Sequence, residues 1–466
     1  MDYSNVRINR LIIDNIKCVR HGEIDFNAES ALRRESASIM GIYGQNGSGK
    51  TVALEAVAIL KAIFSGSQIP SRYLDLVSFG EKSCSIEVEL SVVNTNADYS
   101  VVYKCVLEQR CDPNVSAASH ISESKNASGY IISVVFESLK ACGIIDGQKF
   151  PKQIIAETDE KQRLIKPKSK CYLLYGRNED SLKKLDNYKI LAQYGARSFI
   201  FSEQARMIMD SNCKHAFHSV INAIANYAKT SLFIVGGEIQ SQKLFPINFV
   251  IKNNYYGAYG YIPFSLESTT IIQKIGYDVF KSFLQPLNLV LSKIIPGLQI
   301  KYISKKSSLD EKDDSYEIEL FSSYGSDNMI PLRHESLGIK KIISFLSLLI
   351  AAYNDSGFTI AVDEFDSSVF EFLLGELVGI MKDSGKGQFI FTSHNLRPLE
   401  KLDDDSIRVT TTNPENRYFK LKKKATNNMR DIYYRAISLG DNEYDLYNSE
   451  SKYELAFAFR QAEVEK

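Results

Sequence analysis

A glycine-rich loop at residues 44–51, GQNGSGKT, has residue types and spacing that suit phosphate binding. Its glycines let the backbone turn so that N–H groups point at phosphate oxygens, and a helix N-terminus behind them attracts anions. Lys50 would reach the β- and γ-phosphates of a nucleotide, and the Thr51 hydroxyl would bind Mg²⁺. The pattern Gly-x-x-x-x-Gly-Lys-Thr therefore predicts a nucleotide site. Its predicted residues are Gly44, Gln45, Asn46, Gly47, Ser48, Gly49, Lys50 and Thr51.

Two carboxylates, Asp363 and Glu364, directly follow the apolar run FTIAV. The run predicts a buried strand with both acids at its carboxyl end, the edge of a parallel sheet where ligands bind. Asp363 would hold Mg²⁺ through water, and Glu364 would activate the attacking water as a general base. The alternative interpretation is a solvated helix start, because acidic residues favour helix N-termini.

Two further polar positions complete the candidate chemistry. His394 ends the apolar run FIFTSH, thirty residues after Glu364, where an imidazole can sense a γ-phosphate. A lone histidine at a strand end is more often structural, but its place after the acidic pair favours function. Ser336 and Gly338, in HESLGIKK, precede an apolar helix, so a hydroxyl and an N–H group lie at an anion-attracting helix N-terminus.

Hydrophobic periodicity predicts the elements that position these residues. SASIMGIYG predicts a strand that enters the glycine-rich loop, and residues 50–66 predict the helix that leaves it. FTIAVDE and GQFIFTSHN, with a helix between them, predict a strand–helix–strand unit of a parallel sheet. The alternating segments SCSIEVELSVV, YSVVYKCVLEQ and GYIISVVFESL predict an antiparallel layer.

The middle of the chain has a mixed pattern. CKHAFHSVINAIANYAKTSLF, at 213–233, and SLKKLDNYKILAQYG predict helices, and residues 269–295 predict a longer helix interrupted at Pro286. After it, LQIKYISKK and SYEIELFSSYG predict a strand pair. Apolar heptads do not persist, so a long coiled coil is not expected.

Composition and hydropathy indicate which partners and which cellular compartment to expect. Lysine and arginine number 56, as do aspartate and glutamate, so no global charge points to nucleic acid or membrane. The longest apolar run, 342–353, is shorter than the roughly 20 residues of a membrane span. No signal peptide is visible, and seven scattered cysteines suggest reduced thiols. We therefore expect a cytoplasmic protein with no membrane partner.

The set GQNGSGKT, ESLG, IAVDEFDSS and FTSHN resembles the heads of ABC-type ATPases. These include chromosome-maintenance and DNA-repair ATPases and the OLD-like, AAA-family ATPases of bacterial phage defence. The opening INRLIIDNIKCVRHGEIDF resembles the first strand pair of the same heads. The resemblance implies an α/β fold: a mixed sheet with a phosphate-loop parallel core plus an antiparallel layer, interrupted by a mainly helical insertion.

The resemblance divides the chain into a split head at 1–137 and 297–412, an insertion at 138–296 and a C-terminal extension at 413–466. It implies ATP and Mg²⁺ as cofactors and two heads that sandwich two ATP molecules. The residues implied to act in cis are Lys50, Thr51, Asp363, Glu364 and His394. Those implied to act in trans are Ser336 and Gly338, with Ser367 and Ser368 in a dimer-contacting loop.

Departures from the family pattern narrow the subclass. The reduced signature ESLG argues against a transporter, and Gln153 and Gln204 both stay open as the family's glutamine loop. The short insertion argues against a long-armed DNA tether, and the residues after His394 are too few for an appended nuclease domain. The chain then resembles the stand-alone ATPase subunits of two-gene anti-phage systems of the PARIS or Septu type. This resemblance implies a homodimer or higher homo-oligomer and a separately encoded effector, such as a nuclease.

Two other functions compete with this prediction. A RecF/SMC-like repair or recombination clamp would bind DNA, with nucleic acid as its partner, and an interaction module would have an inactive nucleotide site. Local basic runs at 161–170 and 420–424 could track phosphates, although a solvated surface is the commoner explanation. The aromatic stretch 253–264 could stack bases or bind a protein. Cys213, His215 and His218 could form a metal cluster, but a polar helix face is favoured.

Overall fold

The computed structural model describes most of the chain. The described residues are 4–111, 129–161, 164–213, 216–236, 246–253, 258–306, 314–325, 328–421, 428–439, 446 and 452–464. Their strands are β1 (Asn5–Ile16), β2 (Val19–Asp25), β3 (Ser38–Tyr43), β4 (Ser83–Asn94), β5 (Ala97–Cys111), β6 (Tyr130–Ile145), β7 (Gln148–Asp159), β8 (Leu232–Val235), β9 (Pro246–Asn253), β10 (Ala258–Ser265), β11 (Thr270–Gln273), β12 (Leu298–Lys306), β13 (Ser315–Tyr324), β14 (Ile330–Pro331), β15 (Thr359–Val362), β16 (Gln388–Thr392), β17 (Ile407–Thr410) and β18 (Tyr418–Phe419). Their α-helices are α1 (Ala28–Arg33), α2 (Lys50–Ser65), α3 (Lys168–Tyr175), α4 (Glu179–Tyr194), α5 (Glu203–Asn212), α6 (Ala216–Thr230), α7 (Lys274–Ile294), α8 (Leu337–Asn354), α9 (Glu371–Ser384), α10 (Met429–Leu439) and α11 (Lys452–Val464).

A six-stranded sheet, in the order β18-β17-β3-β16-β15-β8, forms the centre of the fold. Neighbours from β17 to β8 pair in parallel, and β18 adds an antiparallel edge. Every residue of β3, β15 and β16 is buried, as expected for a parallel sheet covered on both faces. This arrangement confirms the predicted strand–helix–strand unit and the strand that enters the glycine-rich loop.

The alternation of side chains along β3 divides the interior into two cores. Met40 and Ile42 pack into one core together with apolar residues of α2 and α6. Ile39 and Tyr43 face the other core, which contains apolar residues of α8 and α9. Successive residues of a strand point to opposite faces, so one short strand supports helices on both sides.

A second six-stranded sheet, in the order β2-β1-β4-β5-β6-β7, is antiparallel throughout. Its inward side chains alternate with exposed ones and join the core that contains α2. The three segments predicted as an antiparallel layer are β4, β5 and β6. The predicted α/β class, with a parallel core and an antiparallel layer, is thus confirmed.

The predicted boundary between residues 137 and 138 requires correction, because it falls inside β6. The next strand, β7, belongs to the same sheet, so the antiparallel layer continues to Asp159. The segment 138–296 also supplies β8 to the parallel sheet. The insertion contributes α3 to α7, but part of it is built into both sheets of the head.

Two predicted helices also require correction. The helix predicted over 213–233 covers Ala216–Thr230, and the residues after it form β8. The helix predicted over 269–295 begins as β11, which pairs with β13, and continues as α7. Pro286 lies on the exposed side of α7 and does not interrupt it, because water can hydrate the carbonyl that lacks an N–H partner. The predicted pair β12 and β13 is confirmed as antiparallel.

Helix α8 is long and apolar enough, by length and composition, to cross a membrane. It begins at Leu337, five residues before the start of the apolar run at 342–353. However, 61% of it is buried inside the fold. Ile343, Phe345 and Leu348 lie in the core beside the strand residues Ile360 and Val362. Helix α8 therefore has the packing of a core helix.

Glu137 in β6 fixes the polypeptide after α4 to the antiparallel sheet. Its fully buried carboxylate accepts hydrogen bonds from Tyr103 OH at 2.9 Å, Ser198 Oγ at 2.5 Å and the Phe199 N–H at 2.8 Å. Burial raises the pKa of this carboxyl, while the donors oppose that change. These bonds make Glu137 a major contact between the head and the α4–α5 connection.

We expect Glu137→Ala to lower the free energy of unfolding by about 3 kcal/mol or more, because several buried donors lose their acceptor. Glu137→Gln should cost less, since its amide keeps an acceptor. Because the folded-state pKa of Glu137 is raised, its ionisation costs stability as the pH rises above about 4.5, and the glutamine variant should lack this loss. The free energies are measured by urea unfolding. The control variant is Glu160→Ala, which removes an exposed ion-pair partner of Arg110. Equal midpoints for the two alanine variants would contradict the prediction.

Candidate functional site

The glycine-rich loop joins the carboxyl end of β3 to the N-terminus of α2. Gly44 has φ of 148° and leaves no room for a side chain, since a Cβ atom would lie 1.7 Å from Thr410 Oγ1. Gly49, at φ of 94°, precedes the helix directly, and a Cβ there would lie 2.9 Å from Val19 Cγ2. The two glycines permit the tight turn that a phosphate-binding loop requires.

Lys50 is folded into this loop. Its Nζ donates hydrogen bonds to the carbonyl oxygens of Gly44 at 2.8 Å and Gln45 at 2.9 Å, and its side chain is buried. Burial lowers the pKa of Lys50, and the charges of Asp363, Asp366 and Glu364 oppose this effect. The ammonium group therefore lies inside the loop, where the phosphates of a nucleotide would bind.

Thr51 and Asp363, the two predicted Mg²⁺ ligands, are neighbours. The Thr51 hydroxyl donates to Asp363 Oδ1 at 3.3 Å, and Thr392 Oγ1 donates to the same oxygen at 2.5 Å. Mg²⁺ prefers hard oxygen donors and usually takes few from the protein, together with water and substrate phosphate. A buried carboxylate beside a hydroxyl at a phosphate loop fits that preference, so Thr51 and Asp363 could hold Mg²⁺ and supply charge neutralisation for phosphoryl transfer.

Glu364 follows Asp363 with its side chain exposed at the carboxyl end of β15. Its φ of 47° is in the left-handed region, which L-amino acids rarely adopt. Its N–H donates to Thr392 Oγ1 at 2.8 Å, and its carbonyl accepts a hydrogen bond from Lys341 Nζ. The backbone of Glu364 is fixed on both sides while its carboxylate is free for chemistry.

His394 lies just beyond β16, on the strand next to β15. The N–H groups of His394 and Asn395 both donate to Asp366 Oδ2 at 3.1 Å. Partial burial and the charge of Lys50 lower the pKa of His394, although nearby carboxylates oppose this. The imidazole is therefore neutral at physiological pH, able to donate one hydrogen bond and accept another.

Ser336 and Gly338 occupy the start of α8. Ser336 is the N-cap, and its Oγ accepts the Ile339 N–H at 3.3 Å. A Cβ on Gly338 would lie 2.2 Å from the carbonyl oxygen of Ser368, so glycine allows α8 to meet the loop after the acidic pair. Within the described residues, no hydrogen bond joins Ser336 or Gly338 to the glycine-rich loop. The fold thus gathers the loop, the acidic pair and His394, whereas the hydrogen bonds of Ser336 to other described residues stay within its own helix.

Several supporting residues were not predicted from the sequence. Thr392 bonds to both Asp363 and the Glu364 N–H. Thr410 Oγ1 lies 2.5 Å from the Oγ of the predicted loop residue Ser48. Tyr418 OH donates to the Gly49 carbonyl at 2.8 Å. Of these residues, only Thr392 could have been identified from the sequence, because it belongs to the motif FTSH that ends at His394. Threonine and tyrosine elsewhere are too common for type and spacing to single them out.

The weaker candidates have other contacts. Gln153 accepts a hydrogen bond from Lys170 Nζ at 2.6 Å, and Gln204 lies exposed in the first turn of α5. Neither bonds to the glycine-rich loop within the described residues. His218 pairs with Asp210 at 2.5 Å, His215 is outside the described residues, and no metal-binding group of three or more His, Cys, Asp or Glu occurs among those described. The basic runs and the aromatic stretch also fall partly outside the described residues, at 162–163, 422–424 and 254–257.

Comparison with known proteins agrees with this geometry. Residues 10–194, about two fifths of the chain, match the AAA domain family. No curated protein sequence matches the chain. The matched segment contains the glycine-rich loop and the helix after it, and together with the site geometry it identifies the chain as an ATPase.

Several solved structures are similar to the chain at low sequence identity. The Smc head bound to the C-winged helix domain of ScpA has 12% identity and a TM-score of 0.43, over 89% of this chain and 98% of that chain. The SMC head domain from Thermotoga maritima has 15% identity and a TM-score of 0.36, over 90% and 100%. The recombination mediator protein RecF of the RecFOR pathway, with ATPrS, has 12% identity and a TM-score of 0.36, over 90% and 100%. Likeness at this level does not transfer a partner or a cellular role.

Cys18 offers a chemical test of nucleotide binding. It is exposed, and its Sγ would lie 3.6 Å from a Cβ on Gly49, at the entrance to α2. Bound ATP should cover this thiol and slow its alkylation, by up to about 100-fold when ATP is at 100 times its Kd. Exposed Cys111 serves as the internal control. Peptide mass spectrometry should also show that Lys50→Ala abolishes the protection, and protection of both cysteines alike would contradict a local effect.

Proposed function

We propose that this ATPase is a nucleotide-driven switch: two copies close over two ATP–Mg²⁺ molecules, and hydrolysis lets them separate. In each site, one copy supplies the glycine-rich loop, Asp363, Glu364 and His394. The other copy supplies Ser336 and Gly338. Glu364 takes a proton from the attacking water, while Lys50 stabilises charge that develops on the γ-phosphate.

The observation that carries this proposal is the location of Ser336. Its hydroxyl bonds only within α8, at a helix N-terminus that attracts anions, among the described residues. Two large apolar side chains flank the contact of Gly338 with Ser368: Leu337 is 56% exposed and Phe370 is 72% exposed. An anion-attracting helix start bordered by exposed apolar side chains suits a second copy with bound nucleotide.

Mixing two inactive variants tests the proposal. Lys50→Ala damages the loop of its own chain, and Ser336→Arg blocks the signature of its own chain. A mixed dimer contains one intact site, formed by the loop of the Ser336→Arg chain and the signature of the Lys50→Ala chain. Random pairing makes half of the dimers mixed, so about a quarter of the wild-type turnover should return.

Mixing Lys50→Ala with Glu364→Gln is the matched control, because both changes affect the same half of the site. That mixture should remain inactive. If the Lys50→Ala and Ser336→Arg mixture also stays inactive while both proteins are folded, the signature does not act in trans.

We further propose that the switch controls a separately encoded toxic effector, such as a nuclease, in a cytoplasmic anti-phage system. The motif resemblance supports this role. An exposed apolar face on α4 and α5 offers a surface for a protein partner: Leu191 is 62% exposed and Met207 is 63% exposed, with Ile190 and Tyr194 beside them.

The effector role is tested by co-expression of the chain with the protein encoded beside it. We expect the two to co-purify, ATP to change their association, and Lys50→Ala to abolish protection in a phage plating assay. If duplex DNA instead stimulates ATP hydrolysis and no protein partner associates, a DNA clamp becomes the better description.

A further inference from the structure

Lys341 is a buried lysine on α8 that the proposed reaction does not use. Its side chain is 3% exposed, and its Nζ donates a hydrogen bond to the main-chain carbonyl of Glu364. Lys341 lies three residues after Gly338. Ser336 therefore stands at the start of α8, while Lys341 is buried inside the fold. Burying a lysine is costly unless its ammonium group has a partner, and here the partner is the backbone of the predicted general base.

The conformation of Glu364 explains why such a bond would be needed. A left-handed residue other than glycine persists only where its surroundings hold it. The Thr392 hydroxyl accepts the Glu364 N–H at 2.8 Å, and the Phe365 N–H donates to the Thr392 carbonyl at 2.9 Å. On its carbonyl side, Glu364 accepts one hydrogen bond from the Ser367 N–H at 2.9 Å and a second from Lys341 Nζ, which is the side-chain donor.

Packing and charge keep Lys341 in place. Phe345, one turn further along α8, contacts Phe365 with ring centroids 5.4 Å apart. The charged groups that face Lys341 are three carboxylates: Asp363, Glu364 and Asp366. They favour its protonated form, while burial lowers its pKa to about 8. Since the ammonium donates to a main-chain oxygen, the Glu364 carboxylate remains available to a water molecule.

We propose that Lys341 is a positioning residue for ATP hydrolysis: its bond to the Glu364 carbonyl keeps the left-handed backbone that directs the Glu364 carboxylate toward the γ-phosphate. This inference rests on the proposed role of Glu364 as general base. Lys341 does not touch the nucleotide, so its loss should affect turnover and leave ATP binding in place. A displacement of about 1 Å at a reacting group can cost about 100-fold in rate.

The test compares steady-state ATP hydrolysis by wild type, Lys341→Met and Lys341→Arg. The methionine variant should lower kcat about 10- to 100-fold, with KM for ATP within about threefold of wild type. The arginine variant, which keeps a donor, should recover most of kcat. Lys189→Met is the control for loss of a buried lysine, because Lys189 Nζ also donates to a main-chain oxygen, that of Asp159, at 2.6 Å. Its kcat should stay within twofold of wild type even if its melting temperature falls.

A double variant separates positioning from general destabilisation. In the Glu364→Gln background, Lys341→Met should cause no further loss of kcat, since the lysine acts through the glutamate. A further tenfold loss there, or a wild-type kcat in Lys341→Met alone, overturns the proposal for Lys341. A wild-type kcat in Glu364→Gln overturns instead the assignment of the general base. If Lys341→Met does not fold, Lys341→Leu, which also lacks a donor, is judged by the same criteria.

Discussion

Glu364→Gln is expected to lower ATP hydrolysis by about 10²- to 10⁴-fold while ATP still binds, because the amide cannot take a proton from the attacking water. The glycine-rich loop, Lys50 and Asp363 are unchanged in this variant, so nucleotide affinity should be kept. The side chain is exposed at the sheet edge, so the fold should tolerate the change. ATP should therefore hold the closed form of the protein.

The measurement is the solution mass of Glu364→Gln with and without ATP, by light scattering after size exclusion. Doubling of the mass with ATP supports closure of two heads. Glu376→Gln, an exposed glutamate on α9 that pairs with Lys401 at 3.6 Å, is the matched control and should hydrolyse ATP normally. A mass unaffected by ATP would contradict nucleotide-driven dimerisation, and unchanged hydrolysis would contradict the role of Glu364.

The second large effect is expected from Lys50→Ala. The ammonium group of Lys50 is the cation inside the glycine-rich loop, 2.8 Å from the Gly44 carbonyl and close to three carboxylates. Removing it should weaken ATP binding and lower hydrolysis by about 10²- to 10³-fold, as for other preorganised groups that stabilise transition-state charge.

Lys61→Met is the matched control, because Lys61 lies on the same helix and its Nζ is over the Phe233 ring at 4.6 Å, away from the loop. Partial burial lowers the pKa of Lys61 to about 8, so its replacement tests the loss of a partly buried lysine without loss of a phosphate ligand. Turnover by Lys61→Met should be near wild type. Equal losses in the two variants would indicate damage to α2, and would contradict a direct role of Lys50.

The sequence predicted those parts of the site that combine unusual residue types with fixed spacing. A glycine-rich loop before Lys50 needs left-handed backbone, and a strand that ends in two acids leaves them at a sheet edge. Both follow from local chemistry, and the structure has both. The antiparallel layer was also predictable, because apolar and polar residues alternate along β5, where buried side chains alternate with partly exposed ones.

Contacts across long sequence distances were not predictable. The helix predicted over 213–233 includes Leu232 and Phe233, the first half of β8, because they continue the apolar pattern of α6, and only pairing with β15 distinguishes them. For the same reason, the helix predicted over 269–295 includes the residues of β11. The contact of Lys341 with the Glu364 carbonyl was equally unpredictable, since a sequence gives no sign that a lysine will meet a backbone carbonyl in the interior. The predicted boundary at residue 137 is wrong because β6 continues for eight more residues, without the regular alternation that would reveal a strand in the sequence.

The strand order has a consequence for how the chain is made. Among the strands that the structure describes, β3, which carries the glycine-rich loop, pairs with β16 and β17, and these begin about 350 residues later in the chain. During synthesis, most of the polypeptide must be made before β16 or β17 can pair with β3. Such non-local pairing is also slow. The phosphate loop can therefore become rigid only near the end of translation. A ribosome-bound fragment that stops before residue 388 should leave the backbone of β3 without its sheet partners, as a site for chaperones or proteases.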